Sequence, residues 1–208
     1  MIGIFGGTFD PVHHGHLRAA LELLQDLELS ELRLIPSRIP PHRGTPGATP
    51  EQRLAMLRAA VRGQPGFVVD ERELRRAGPS YTVDTLHSLR DEFGDTPLCL
   101  IVGADAFLGF PTWRRWTELI ELAHVVVMDR PGWNAPADGV LADLLRARWV
   151  NTPAPLRAQS AGCILVWPVT QLDIAASRIR EEIRQGKSPR YLVPDPVWEM
   201  IRTEGIYR

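Results

Sequence analysis

The run IFGGTFDPVHHGH, Ile4–His16, decides how this chain begins to fold. Its first two residues belong to an apolar segment, Ile2–Phe5, which has the pattern of a short buried strand. Gly6 and Gly7 lack a Cβ atom, which allows the chain to turn sharply and its amides to approach a ligand closely. A helix is expected to begin near His14. A strand, a glycine turn and a helix in this order are typical of the first unit of an α/β sheet.

The rest of the chain alternates between short apolar runs and helical patterns. One helix is predicted from Pro50, where Thr49 and Gln52 form a capping box. Further strands are expected at Leu32–Ile35, Phe67–Val69, Leu98–Val102, His124–Met128 and Ile164–Trp167, and further helices at Thr82–Asp91, Thr117–Leu122, Val140–Arg146, Ser177–Gln185 and Pro196–Thr203. The alternation predicts an α/β fold, a Rossmann-like doubly wound and mostly parallel sheet with helices on both faces. We expect a single domain, 1–208, with a C-terminal helical part at about 174–208.

Composition and charge argue against several classes of protein. Of the 208 residues, 44% are hydrophobic and 24% are charged, and the formal net charge is −1. No overall field therefore favours nucleic acid or a membrane surface. Cys99 and Cys163 each lie in an apolar run, which predicts buried, reduced thiols. No run approaches the roughly 18 apolar residues of a membrane span, and no signal-peptide pattern precedes Ile2. We expect a cytoplasmic protein without nucleic-acid or membrane partners; an oligomer is compatible with the sequence.

The opening run has the properties of an anion-binding site. The first amides of a helix and its positive dipole end attract phosphate, and Gly15 leaves a flat surface against the first turn. His13 and His16 are three residues apart and therefore lie on one helical face. Two imidazoles there can donate hydrogen bonds to phosphate oxygens as charge develops, without themselves attacking. With Thr8 shaping the turn, the run suits a phosphoryl centre.

Two other interpretations of these histidines stay open at this point. They are compatible with a polar turn whose imidazoles satisfy backbone groups, or with a zinc site built from His13, His14 and His16. Zinc is the less favoured, because adjacent imidazoles diverge on a helix and no carboxylate ligand is evident nearby. A P-loop and a dinucleotide fingerprint are excluded, because neither GxxxxGK[ST] nor GxGxxG occurs in this run.

Two motifs about 160 residues apart resemble those of a known superfamily. The run GGTFDPVHHGH, 6–16, is similar to the GxFxPxHxGH signature of nucleotidyltransferases, and IAASRIR, Ile174–Arg180, resembles their second signature, ISSTxxR. Between them, three segments are similar to bacterial nicotinate-nucleotide adenylyltransferases: PPHR (40–43), GPSYTVDTL (78–86) and GADAFLGFPTWRRW (103–116). The resemblance covers nearly the full length of the chain and identifies it as a member of that family.

The resemblance implies transfer of AMP from ATP to nicotinate mononucleotide, with release of pyrophosphate, as a step in NAD synthesis. His16 would stabilise charge on the α-phosphate and His13 would assist. Arg180 and Ser177 would hold the β- and γ-phosphates. Mg²⁺ is the implied cofactor, held largely by phosphates and water rather than by protein ligands. The residues expected to bind ATP are Gly6, Gly7, Thr8, Phe9, Gly15, Gly103 and Asp105, with Asp105 bonding a ribose hydroxyl.

The mononucleotide is expected to contact residues from three segments. Arg43 is a candidate clamp for its phosphate, because a guanidinium matches phosphate bidentately, and His42 lies beside it. The helix start at Thr82 is expected to receive the nicotinate carboxylate. The resemblance implies that Trp113 stacks on the pyridine ring, and Arg114 is assigned to the same site. The alternatives are a mobile polar loop for His42 and Arg43, and a core role for Trp113.

The second signature departs from the family pattern. Its paired serines are replaced by Ala175 and Ala176, and its threonine by Ser177, which we expect to cap a helix in front of Ile179. The departure puts phosphate affinity in doubt rather than activity. The two alanines are the only support for a rival function, a nucleotide-binding sensor without turnover. Two further alternatives do not depend on them: nicotinamide mononucleotide as the preferred acceptor, and a zinc hydrolase built on the histidines.

Overall fold

Seven parallel strands form one sheet at the centre of the computed structural model, which describes residues 1–40, 44–129 and 135–208. The strands lie in the order β3-β2-β1-β4-β5-β7-β6. Every pair of neighbours runs parallel. Their bounds are β1 Ile2–Gly7, β2 Glu31–Pro36, β3 Phe67–Val69, β4 Leu98–Gly103, β5 His124–Asp129, β6 Trp149–Val150 and β7 Ile164–Pro168.

Helices connect the strands, as parallel pairing requires. The bounds are α1 His14–Asp26, α2 Pro50–Ala60, α3 Arg72–Arg75, α4 Thr82–Phe93, α5 Ala104–Leu108, α6 Trp116–Leu122, α7 Gly139–Arg148, α8 Ala154–Ala158, α9 Ala176–Arg184 and α10 Asp195–Glu204. A 3₁₀ turn covers Phe110–Thr112. The α2 start is the predicted one, because the Thr49 side chain accepts from Gln52 N and the Gln52 side chain accepts from Thr49 N.

Apolar side chains cover both faces of the sheet, because successive residues of a strand point to opposite faces. In β1, Phe5 packs on the face covered by α1, α2, α9 and α10. Ile2 and Ile4 pack on the other face, against α4, α5, α6 and α7. The predicted α/β fold, a Rossmann-like doubly wound parallel sheet with helices on both faces, is confirmed.

The strand order reverses between β1 and β4. β1 pairs with β2 on one side and with β4 on the other, and Ile4 lies opposite Leu100 in the register. The carboxyl ends of these two strands are Gly7 and Gly103. In open α/β sheets the crevice beyond such a reversal is where ligands bind, so the sheet places the opening run beside the predicted segment that begins at Gly103.

The two cysteines are buried thiols outside any disulfide, as predicted. Burial raises the pKa of Cys99 to about 12, so this thiol stays protonated and packs as an apolar group. Across the described part of the chain, no helix is both long and apolar enough to cross a membrane.

Candidate functional site

The opening run forms a tight turn between β1 and α1, which we call the signature turn, Gly6–His13. Phe9 has a φ of 48° and its buried ring lies over Gly7. A Cβ atom at Gly7 would approach that ring to 3.0 Å, so any other residue would require the buried Phe9 ring to shift. The Phe9 ring also meets the edges of Phe5, at a centroid distance of 6.0 Å, and of His16, at 5.2 Å. The turn therefore holds the His16 imidazole against a rigid aromatic wall.

His13 and His16 meet face to face at the start of α1. Their ring centroids are 3.7 Å apart and the planes differ by 24°. His13 is the N-cap residue, 5% exposed, and the helix begins at His14, as predicted. Burial, with a smaller contribution from His14, lowers the pKa of His13 to about 4. His13 is therefore neutral at pH 7 and offers a hydrogen bond rather than a charge.

The amides at the start of α1 differ in availability. His14 N donates to Leu192 O at 3.0 Å. This amide is therefore engaged by the protein and is unavailable to a phosphate, a detail that the sequence did not predict. Gly15 packs on His13, where an added Cβ would lie 3.0 Å from Nδ1. A side chain at Gly15 would press on this imidazole, so the glycine leaves room for the His13 ring.

The stacked geometry disfavours the zinc interpretation. Imidazole lone pairs lie in the ring plane, and two nearly parallel rings aim theirs side by side rather than at one ion. Among the described residues, no group of three or more His, Cys, Asp or Glu side chains is arranged to hold a metal ion. A pair of hydrogen-bond donors fits the observed arrangement better.

Arg180 reaches the signature turn from α9, 170 residues along the chain. Its Nη1 donates to Asp10 O at 2.7 Å and lies 3.4 Å from Asp10 Oδ2. The Arg180 side chain is 27% exposed, so it is only partly covered by the protein. The two signature motifs, which are far apart in the sequence, therefore meet at Asp10.

Ser177 does not cap α9, and that prediction was wrong. The N-cap is Ala175, in extended conformation and without a side-chain hydrogen bond, and Ser177 is the second helical residue. A side-chain oxygen accepts a hydrogen bond from the N2 or N3 amide when its residue is the N-cap, and Ser177 lies beyond that position. The first amides of α9 therefore have no capping side chain. Ser177 is exposed beside them.

The second group of predicted ATP contacts lies at the end of β4. Gly103 closes the strand and is the N-cap of α5, and Asp105 is exposed in the first turn of that helix. Asp105 is therefore the second helical residue and not the N-cap of α5. Gly6 and Gly7 end the neighbouring strand β1 and Thr8 follows it, and all three are exposed or partly exposed. Both groups lie at the carboxyl edge where the strand order reverses.

The residues predicted for the mononucleotide fall in two places. Thr82 begins α4, as expected. Tyr81 immediately precedes Thr82, and the Arg114 guanidinium lies over the Tyr81 ring, 4.6 Å from its centroid. Trp113 is half-buried and packs on Phe110 at a centroid distance of 5.4 Å, so it combines a core contact with an accessible face. The Arg114–Tyr81 contact brings the helix start at Thr82 and the Trp113–Arg114 segment together. His42 and Arg43 lie outside the described residues.

Two buried charged residues support the site, and neither was among the predicted substrate contacts. Asp10 is 4% exposed and Arg53 is fully buried. Arg53 Nη1 donates to Thr8 O at 2.8 Å and to Ser37 O at 2.7 Å. Its remaining nitrogens donate to Arg38 O and Ala48 O. This guanidinium joins the signature turn to both ends of the segment 37–48. A signal existed, because Arg53 precedes Met56 and Leu57 at core spacing in α2.

The chain is similar to known proteins over its full length. The family model described as cytidylyltransferase-like matches residues 4–183. A protein of Methylococcus capsulatus is 54% identical over 208 residues, covering 100% of this chain and 99% of that protein, and bears the name "Probable nicotinate-nucleotide adenylyltransferase". The chain belongs to this adenylyltransferase family. A relative of the same name from Halorhodospira halophila is 53% identical over 206 residues, covering 99% of this chain and 94% of that protein. The family resemblance found in the two signatures is confirmed.

Solved structures with little sequence identity share the fold of this adenylyltransferase. A Plasmodium falciparum nicotinic acid mononucleotide adenylyltransferase complexed with NaAD has a TM-score of 0.73 at 12% identity, over 99% of this chain and 96% of that one. The same protein complexed with APC gives 0.72, with the same identity and coverage. At this identity the likeness concerns the fold alone.

Proposed function

We propose that this adenylyltransferase transfers AMP from ATP to nicotinate mononucleotide. A phosphate oxygen of the mononucleotide attacks the α-phosphorus of ATP. The bond from that phosphorus to the oxygen bridging to the β-phosphate breaks, and pyrophosphate leaves with the electron pair. The products are nicotinate adenine dinucleotide and pyrophosphate, a step in NAD synthesis. The observation that carries the proposal is the meeting of the His13–His16 pair and Arg180 around one signature turn.

The proposed roles on the ATP side follow from protonation and charge. His16 donates to an α-phosphate oxygen as negative charge grows in the transition state. His13, neutral because burial lowers its pKa to about 4, supports it with a hydrogen bond. Arg180, permanently charged, holds the β- and γ-phosphates together with Ser177. The chemistry needs positioning and charge stabilisation, which these groups supply without a covalent intermediate.

The remaining ATP contacts are proposed on placement. The small residues of the signature turn allow the nucleotide to lie against the backbone, and Asp105 is exposed beside them to bond a ribose hydroxyl. All of them lie at the crevice where ligands of doubly wound sheets bind. The proposed set is Gly6, Gly7, Thr8, Phe9, Gly15, Gly103 and Asp105.

Mg²⁺ is proposed to enter with ATP. The carboxylate within the signature turn, that of Asp10, is engaged by two backbone amides, the Tyr207 hydroxyl and Arg180. It therefore has little capacity left for a cation, and phosphate oxygens and water would supply the ligands that Mg²⁺ prefers. When bound, the ion would neutralise charge on the triphosphate.

On the acceptor side, the proposal assigns the nicotinate carboxylate to the amides at Thr82 and the pyridine ring to the accessible face of Trp113. A helix start attracts a carboxylate but gives a neutral amide no equivalent advantage. Arg114 is poised on Tyr81 beside this helix start, and its positive charge favours the acid in the same way. His42 and Arg43 are proposed to hold the mononucleotide phosphate.

A paired assay tests the function. Pyrophosphate release is measured from ATP with nicotinate mononucleotide and, under identical conditions, with nicotinamide mononucleotide. The proposal predicts rapid release with the acid and a lower kcat/KM with the amide. Equal or greater kcat/KM with the amide would reject the acceptor assignment. Nucleotide binding without any pyrophosphate release would reject turnover and favour a sensor.

A further inference from the structure

Tyr207 is held in a costly conformation next to the site. It lies beyond α10 with a φ of 71° and is 9% exposed. A tyrosine in the left-handed region persists only where its surroundings fix it. Its hydroxyl donates to Asp10 Oδ1 at 2.8 Å, across 197 residues of sequence. Burial and the adjacent Asp10 raise the pKa of Tyr207, so the hydroxyl remains a donor.

The carboxylate that accepts this bond organises the signature turn. Asp10 Oδ2 accepts from Gly47 N at 2.8 Å, and Oδ1 accepts from Ala48 N at 3.0 Å as well as from Tyr207. These bonds fix the orientation of Asp10. Because the carbonyl oxygen of the same residue accepts from Arg180, the orientation of Asp10 also sets where that guanidinium is held.

Packing joins Tyr207 to Arg180 a second time. A Cβ atom added at Gly47 would lie 3.0 Å from the Tyr207 ring and 3.3 Å from Arg180 Cδ. The ring and the aliphatic part of the arginine therefore both rest on the same glycine. Tyr207 thus restrains Arg180 at its guanidinium through Asp10 and at its stem through Gly47.

We infer that Tyr207 is a positioning residue for ATP: through Asp10 and Gly47 it aims the Arg180 guanidinium at the β- and γ-phosphates. The inference rests on the proposed function, in which Arg180 binds those phosphates. Tyr207 itself does not touch the substrate in this account, so its effect passes entirely through Arg180.

The test compares Tyr207→Phe with Tyr191→Phe. Tyr191 has the same φ of 71° but is 79% exposed, so it controls for loss of a tyrosine hydroxyl in this backbone conformation. Loss of the buried bond should raise the KM for ATP about three- to tenfold, the scale of one ordinary intramolecular hydrogen bond, because the effect reaches ATP only through Arg180. The KM for the mononucleotide should change by less than about twofold. Tyr191→Phe should leave both values unchanged.

A double-mutant cycle with Arg180→Ala separates positioning from a general loss of structure. If Tyr207 acts through Arg180, Tyr207→Phe adds nothing to the KM for ATP in the Arg180→Ala background. Equal effects of Tyr207→Phe in both backgrounds would overturn the inference. An unchanged KM for ATP in Arg180→Ala alone would instead reject the proposed role of Arg180, and the inference with it.

A second variant tests the inference if the Tyr207→Phe protein does not fold. Gly47→Ala pushes a methyl group against both Tyr207 and Arg180 and should raise the KM for ATP in the same selective way. Binding of a non-hydrolysable ATP analogue, measured by calorimetry, gives the same comparison without turnover. Unchanged analogue affinity in a folded Gly47→Ala protein would count against the inference.

Discussion

Replacement of Arg53 by methionine tests whether one buried guanidinium ties the signature turn to its neighbours. The side chain is fully buried, and it donates to the carbonyl oxygens of Thr8, Ser37, Arg38 and Ala48 at distances from 2.7 to 3.4 Å. Methionine keeps much of the apolar stem but no donor. The four carbonyl oxygens would lose this donor, and those of Ser37 and Ala48 accept it in buried bonds.

The expected loss follows from these bonds and from the cost of burying the charge. Three of the four bonds are 3.2 Å or shorter, and an interior carbonyl without its donor costs about 1–3 kcal/mol. Against this, removal of a buried cation relieves its desolvation. Burial lowers the pKa of Arg53 although Asp10 and Tyr207 oppose that shift. The two effects together predict that Arg53→Met lowers the free energy of unfolding by about 2–4 kcal/mol.

The assay is equilibrium unfolding in urea, with the midpoint and slope compared between variants. Arg58→Met is the matched control: Arg58 lies in the same helix, its side chain is 56% exposed, and it pairs with Glu71 at the surface. A pair of this kind contributes about 0–1 kcal/mol. A loss below about 1 kcal/mol for Arg53→Met, or a loss equal to that of the control, would refute the reasoning.

Three further predictions concern individual side chains. His16→Ala should lower kcat at least about 10²-fold, as loss of a donor to a developing charge does; near-normal turnover in a folded protein would contradict its role. Trp113→Ala should raise the KM for the mononucleotide more than that for ATP in steady-state assays, and equal changes would remove the stacking claim. The pKa of His13 falls from 6.5 to about 4 on folding. As the pH falls, the His13 imidazole is therefore protonated at a higher pH in the unfolded chain than in the folded protein. Wild type should therefore lose up to about 3 kcal/mol relative to His13→Gln between pH 6.5 and pH 4 in urea unfolding. A constant difference would contradict the burial argument, and His124, whose pKa burial also lowers, is common to both proteins.

Local signals explain which elements the sequence could predict. Each of the six predicted strands is present, and the capping box at Thr49 and Gln52 marks the start of α2 at the observed residue. These features depend on neighbours in sequence. The strand β6, Trp149–Val150, was missed because two residues cannot show an alternating pattern. The short helices α3, α5 and α8 were missed for the same reason, since five residues or fewer give little periodicity.

The site was predictable only in part, because its supports come from distant parts of the chain. The two signatures identified His13, His16 and Arg180 without any structure. The bond from Tyr207 to Asp10 joins residues 197 apart and has no sequence signal. The cap of α9 was misplaced because side-chain preference pointed to a serine, whereas the backbone turns into the helix at Ala175.

The central claim is that the two signatures grip one triphosphate. The most direct measurement is a crystal structure of this protein with a non-hydrolysable ATP analogue. His16 is expected within about 3.2 Å of an α-phosphate oxygen, and the Arg180 guanidinium within the same distance of a β- or γ-phosphate oxygen. A nucleotide bound away from the signature turn, or one whose phosphates touch only one of these two side chains, would contradict it.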